Sequence, residues 1–257
     1  MLIIVARLTI CFTLLLLSNK VSSQSKMVEI EGGSYIPIYG RDSVLVKVSD
    51  FMMDVYPVTN QDFLEFVKEN PNWQRSKVKK LFADKSYLKG WKSDTILGVN
   101  QLEKSPVTNV SWFAAKEYCL SKGKRLPTID EWEYVAMASK DKPDARKDEK
   151  YNGYILSWYE KPRTYKNTIG STFKNYWNVY DLHGLVWEWT LDFNSVLISG
   201  ESRKDVDADR NLFCGSAAIG ATDLMNYAAF MRYAIRGSLK AQYTMQNLGF
   251  RCVKDEK

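Results

Sequence analysis

A chain of 257 residues, 45% hydrophobic and 26% charged, has a globular composition and length for one large domain or two small ones. Its net charge of +6 comes from interleaved acids and bases, as in Lys140–Lys150, which reads as a solvated loop and excludes a nucleic-acid patch. A single histidine, His183, excludes a three-histidine iron site and a carbonic-anhydrase-type zinc site.

The first 23 residues read as a secretory leader, which predicts a periplasmic or secreted protein. Arg7 is the charged flank, Leu8–Leu17 the apolar run, and Val21-Ser22-Ser23 the small-residue cleavage site. The run is too short for a comfortable membrane span, so the mature chain is not expected to be membrane-embedded. Loss of Arg7 and Lys20 with the leader takes the charge from +6 to +4. Residues 24–257 are expected to form one domain, since no repeat, linker or low-complexity tract interrupts them.

Met27–Ile38 alternates apolar and polar residues and breaks at Gly32-Gly33, which predicts a strand and turn; Val44–Met53 predicts a second strand. Thr59 opens a helix with Asp62 three residues on, and Phe63, Phe66 and Val67 form its apolar face. Pro71–Ser105 reads as a long loop pinned by aromatics such as Trp73, Tyr87 and Trp91. Two short helices follow. Ser111 caps the first, which carries Trp112, Ala115 and Cys119 on one face and ends at Gly123. Thr128 and Glu131 form a capping box for the second, whose apolar face is Trp132, Val135 and Ala136. After the charged loop at Asp141–Lys150, Tyr151–Tyr165 reads as strand or extended chain. Asn194–Arg210 reads as an insertion loop, and Phe230–Ile235 and Leu248–Val253 as closing strands.

Three features bear on chemistry. His183 would have to serve any Ser-His-Asp triad, but no placed nucleophile accompanies it, so it reads as a surface or satisfied histidine. Asp181 and Glu188 flank a glycine turn and supply the oxygen donors that a hard cation such as Ca²⁺ prefers. The alternative is that both acids cap turns or pair with cations. Of the four cysteines, Cys11 lies in the leader, and Cys119, Cys214 and Cys252 imply one pair and one leftover thiol. Export makes a disulfide chemically permissible.

Four segments, in order, carry a resemblance. They are MVEIEGGSYIPI with MMDVYPVTNQDFLEFV (27–38 and 52–67), GKRLPTIDEWEYVA (123–136), VYDLHGLVWEWTLDF (179–193) and NLGFRCV (247–253). Together they resemble the formylglycine-generating (sulfatase-modifying factor) family. The resemblance implies a compact α+β formylglycine-generating fold, related to C-type lectins and low in regular secondary structure. It also implies a structural calcium held by the side chains of Asp181 and Glu188 and the backbone oxygens of Gly184 and Val186, although Leu185 stands where the family usually has Asn. It implies that Cys119 pairs with Cys252.

The family's active site is a cysteine pair, five residues apart, that binds Cu(I) and uses O₂ to oxidise a substrate cysteine. In this chain the matching positions fall near Ile219 and near Leu224 or Ala228, none of them cysteine. Pocket positions Trp187, Ser216 and Asn247 do match, and Cys214 replaces a strand glycine. A Cu(I) site built from Cys214 with Met225 or Met231 has suitably soft ligands but no supporting spacing. The resemblance therefore implies a non-catalytic domain that binds a protein or peptide partner. The stretch from Asp192 to Cys252 looks like the branch associated with copper nitrite reductase systems, which implies an accessory role in the envelope of a denitrifying bacterium. The alternatives are a formylglycine-type oxidase acting on protein cysteine and a structural component of envelope or secretion machinery.

Overall fold

The computed structural model describes residues 26–38, 44–194 and 224–256, without the side chains of 224–227. Short elements and long ordered connections make up an α+β architecture. Strand β1 (Met27–Ile30) pairs antiparallel with β4 (Phe51–Asp54), and β4 pairs antiparallel with β7 (Val253–Asp255). The resulting sheet, in the order β1-β4-β7, brings the two ends of the described chain together. β2 (Gly33–Tyr35) pairs with β3 (Val46–Val48), and β5 (Trp187–Glu188) lies parallel to β6 (Leu248–Gly249).

The helix starts follow from local chemistry. α1 (Asn60–Glu69) and α3 (Ile129–Ala136) begin at Thr59 and Thr128, and Asp62 and Glu131 complete reciprocal capping boxes. Ser111 caps α2 (Trp112–Ser121) by accepting from the Ala114 amide. α2 ends at Gly123, whose φ of +66° is a left-handed exit that costs a glycine little.

One apolar cluster joins α1 and α2 to Trp189 and Phe250; a second packs Trp132 and Val135 of α3 against Ile30, Phe51 and Met53 of the sheet. The Cys119–Cys252 disulfide crosses the first cluster, with Cα atoms 5.6 Å apart, and ties α2 to the segment between β6 and β7. Two buried ion pairs brace the same region. Lys124 Nζ lies 2.6 Å from Asp54 Oδ1. The fully buried Arg251 donates to both oxygens of Glu188 at 2.8 Å and also to the carbonyls of Asp54 and Tyr180.

Four expectations need correction. Val44–Met53 is not one strand: Ser49 and Asp50 turn the chain between β3 and β4, and Asp50 accepts from the Gly32 amide. Tyr151–Tyr165 is not extended, because Glu149–Tyr159 forms α4. Asp148 caps it, and Tyr151 and Ile155, four apart, face a third apolar cluster. Phe230–Ile235 is not a strand but the middle of α5 (Leu224–Ser238). The run alternates over too few residues to separate a helix from a strand, and contact with α4 and α3 decides it. The final segment 248–253 is likewise divided between β6 and β7, which belong to different sheets.

Candidate functional site

A cavity of about 600 Å³ opens between α5, the end of α4, and the 182–188 and 246–248 segments. This lies within the usual size range of ligand sites. Its aromatic walls come from four places: Trp132 on α3, Trp158 and Tyr159 at the end of α4, Tyr165 beyond it, and Trp187 on β5. Tyr159 and Trp187 stack with centroids 5.3 Å apart and planes 11° from parallel. The Trp187 amide donates to the Asn247 carbonyl at 2.8 Å, so the parallel β5–β6 bridge sets both residues on the cavity wall.

Charge enters from the other side. Arg232 and Arg236, one turn apart on α5, both donate to Glu133 of α3, at 2.8 and 2.6 Å. Their guanidiniums lie 5.8 and 5.1 Å from the Trp132 ring centroid. Burial by itself would raise the Glu133 pKa, but the two arginines override it and hold the group down at about 2. Lys161 sits over Trp158 with Nζ 3.9 Å from the ring centroid, at the exposed rim beside Arg163.

His183 is buried in the cavity wall, edge-on to Trp132 and Tyr151. Its Nε2 lies 2.8 Å from the Ala136 carbonyl, which only accepts, so this nitrogen carries the proton. Burial, assisted by the charge of Arg232, lowers its pKa to about 4. It is a satisfied neutral histidine, as the sequence reading allowed, and not a surface one.

The two carboxylates expected to bind calcium are both engaged by other groups. Asp181 is not among the cavity's lining residues and accepts from the amides of Gly170 and Thr172 and from the Thr172 hydroxyl. Glu188 accepts from Arg251 on both oxygens and from Trp132 Nε1 at 2.8 Å. With Glu188 already paired to a buried guanidinium and Asp181 committed to a turn, Asp181, Gly184, Val186 and Glu188 as placed do not fit a calcium ion. Gly184 has a different role. At φ +102°, a Cβ there would come within 2.3 Å of the Trp158 ring. Its lack of a side chain is what lets Trp158 form the wall.

Of the expected pocket residues, the structure brings Trp187 and Asn247 together, while Ser216 and Cys214 lie outside the described residues. The side chain of Met225 does too; Met231 lines the cavity and is one thioether, which alone does not make a Cu(I) site. Sequence reasoning missed Tyr159, Glu133, Arg232 and Arg236. Reading 151–165 and 230–235 as strands hid Tyr159 and the two arginines, although the four-residue spacing of Arg232 and Arg236 is a helical signal; Glu133 was on a correctly read helix, but its partners come from about a hundred residues away.

The low-regularity α+β fold and an aromatic cavity built from the VWEW and NLGF segments define a formylglycine-generating-type domain. A family model for the sulfatase-modifying factor enzyme 1-like domain matches residues 15–256, and the chain belongs to that family. It is 30% identical over 256 residues to the bovine inactive C-alpha-formylglycine-generating enzyme 2, covering 80% of this chain and 78% of that one. It is 28% identical over 257 residues to mouse formylglycine-generating enzyme, covering 82% and 67%. The solved structure of PvdO from Pseudomonas aeruginosa shares the fold, with a TM-score of 0.50 at 17% identity over 90% of this chain and 94% of that one. Among the described residues, no helix is long and apolar enough to cross a membrane.

Proposed function

We propose that this protein is a non-catalytic formylglycine-generating-type domain whose cavity receives a peptide segment of a partner protein. One observation carries the reading: its cysteines cannot supply the family's thiolate pair. Cys119 and Cys252 are consumed in a disulfide, and the other two of the chain's four cysteines, Cys11 and Cys214, lack the five-residue spacing of the family's pair. A copper-dependent oxidation of cysteine needs two thiolates at one metal, and the cavity persists without them. The word "inactive" in the name of the bovine relative supports the same reading.

The test is incubation with Cu(I), O₂ and a sulfatase-type cysteine peptide, followed by mass spectrometry for the aldehyde. No conversion is expected. Catalytic conversion that disappears in Cys214→Ser would overturn the reading and make Cys214 part of a copper site.

The leader-like first 23 residues support export, and the resemblance of the 192–252 stretch supports an accessory role in maturation of a copper nitrite reductase system. N-terminal mapping of the mature protein and affinity purification from the native cells test these two points. An intact leader, or a partner set without a copper reductase, would remove them.

A further inference from the structure

Among the described residues, the cavity's charged lining is nearly of one sign. Lys161, Arg163, Arg232 and Arg236 line it, and the one carboxylate among the lining residues, Glu188, is already held by the buried Arg251. Behind the wall a single carboxylate, Glu133, serves two guanidiniums. Asp192 lies within electrostatic reach of Arg236 but is engaged by the Ile129 amide, and His183 is neutral. Among the described residues, the region thus holds five cations against Glu133, Glu188 and the more distant Asp130 and Asp192. The nitrogen Nη1 of Arg232 has no hydrogen-bond partner among the described residues. Lys161, Pro162 and Arg163 are exposed at the rim, whereas Arg236 is buried inside.

We infer that the segment this cavity receives is an acidic peptide. An aromatic side chain of the peptide lies against Trp158, Tyr159 and Trp187, and its carboxylates meet Lys161 and Arg163 at the rim and Arg236 within. The inference rests on the cavity being a peptide receptor and adds the charge of what it receives. Low-dielectric aromatic walls strengthen the attraction between a guanidinium and a carboxylate, whose planar faces also match. A basic segment would meet the same field as repulsion, and a neutral one would leave the excess positive charge unanswered. The exposed 161–163 rim leaves room for a chain to continue out of the cavity.

Three dye-labelled, end-blocked tripeptides, Glu-Trp-Glu, Gln-Trp-Gln and Lys-Trp-Lys, test this by fluorescence anisotropy on the full chain. The acidic peptide should bind about tenfold tighter than the Gln peptide at low salt and lose most of that advantage at high salt. In the double variant Lys161→Gln/Arg163→Gln its affinity should fall about three- to tenfold. In that variant the ratio of acidic-peptide to Gln-peptide affinity should fall towards one, whatever change the loss of Lys161 from the Trp158 ring brings to both peptides alike. If none of the three binds, the receptor reading itself fails. If they bind equally, if the basic peptide binds best, or if the rim variant is indistinguishable from wild type, peptide binding stands and the acidic preference is overturned.

Discussion

At the scale of single residues, two positions hold the site's geometry. Gly184 has no side chain because Trp158 occupies the place where a Cβ would go, and its φ of +102° is unfavourable for any other residue. Gly184→Ala should cost about 1–3 kcal/mol, read as a lower melting temperature with altered tryptophan fluorescence. An alanine variant that melts like wild type would show that the Trp158 wall yields freely. Arg251 is fully buried and carries the positive charge that Glu188 would otherwise seek from a metal. Arg251→Met should destabilise by about 3–5 kcal/mol in urea unfolding, because it leaves a buried carboxylate uncompensated. Adding Glu188→Leu should recover part of that loss. A chelator should leave the wild-type melting temperature unchanged; a fall that added Ca²⁺ restores would return calcium to this turn.

At the scale of elements, α5 is anchored to α3 by one acid. Arg232 and Arg236 converge on Glu133 across about a hundred residues of chain, so their pairing exists only once both helices are in place. The folded-state pKa of Glu133, about 2, lies below its ordinary value of 4.5. The sign follows: the stabilisation is complete above about pH 4.5 and drains away as the pH falls towards 2. Glu133→Gln should therefore be less stable at neutral pH by about 3 kcal/mol and should show a shallower fall in melting temperature across that acid window. Equal slopes for variant and wild type would mean that the acid sensitivity arises elsewhere. The helix starts, by contrast, were legible in the sequence. Thr59 with Asp62, Ser111 with Ala114, and Thr128 with Glu131 each close a hydrogen bond within three residues, so the pattern is local and survives without tertiary context.

At the scale of the whole molecule, the ends of the fold are stitched together. β7 joins the sheet that β1 begins, and the disulfide closes a loop spanning 133 residues. Reduction, or Cys119→Ser with Cys252→Ser, should lower stability by up to about 5 kcal/mol in the chain-entropy model, measured by denaturant unfolding with the cavity's tryptophans as reporters. A doubly substituted protein as stable as wild type would mean that the apolar cluster around Phe63, Tyr118 and Phe250 holds these elements without the crosslink.

By itself the sequence determined the family, through four ordered motifs; the caps of three helices; and the number of its cysteines, which is visible without coordinates. The tertiary structure decided the rest. It turned 149–159 and 224–238 into helices, since Tyr151, Ile155 and Ala228 could bury their apolar faces only against one another. It also decided what Glu188 binds. A carboxylate on a glycine turn looks the same in sequence whether it awaits a cation or an arginine, and only chain closure brings Arg251, 63 residues away, within 2.8 Å.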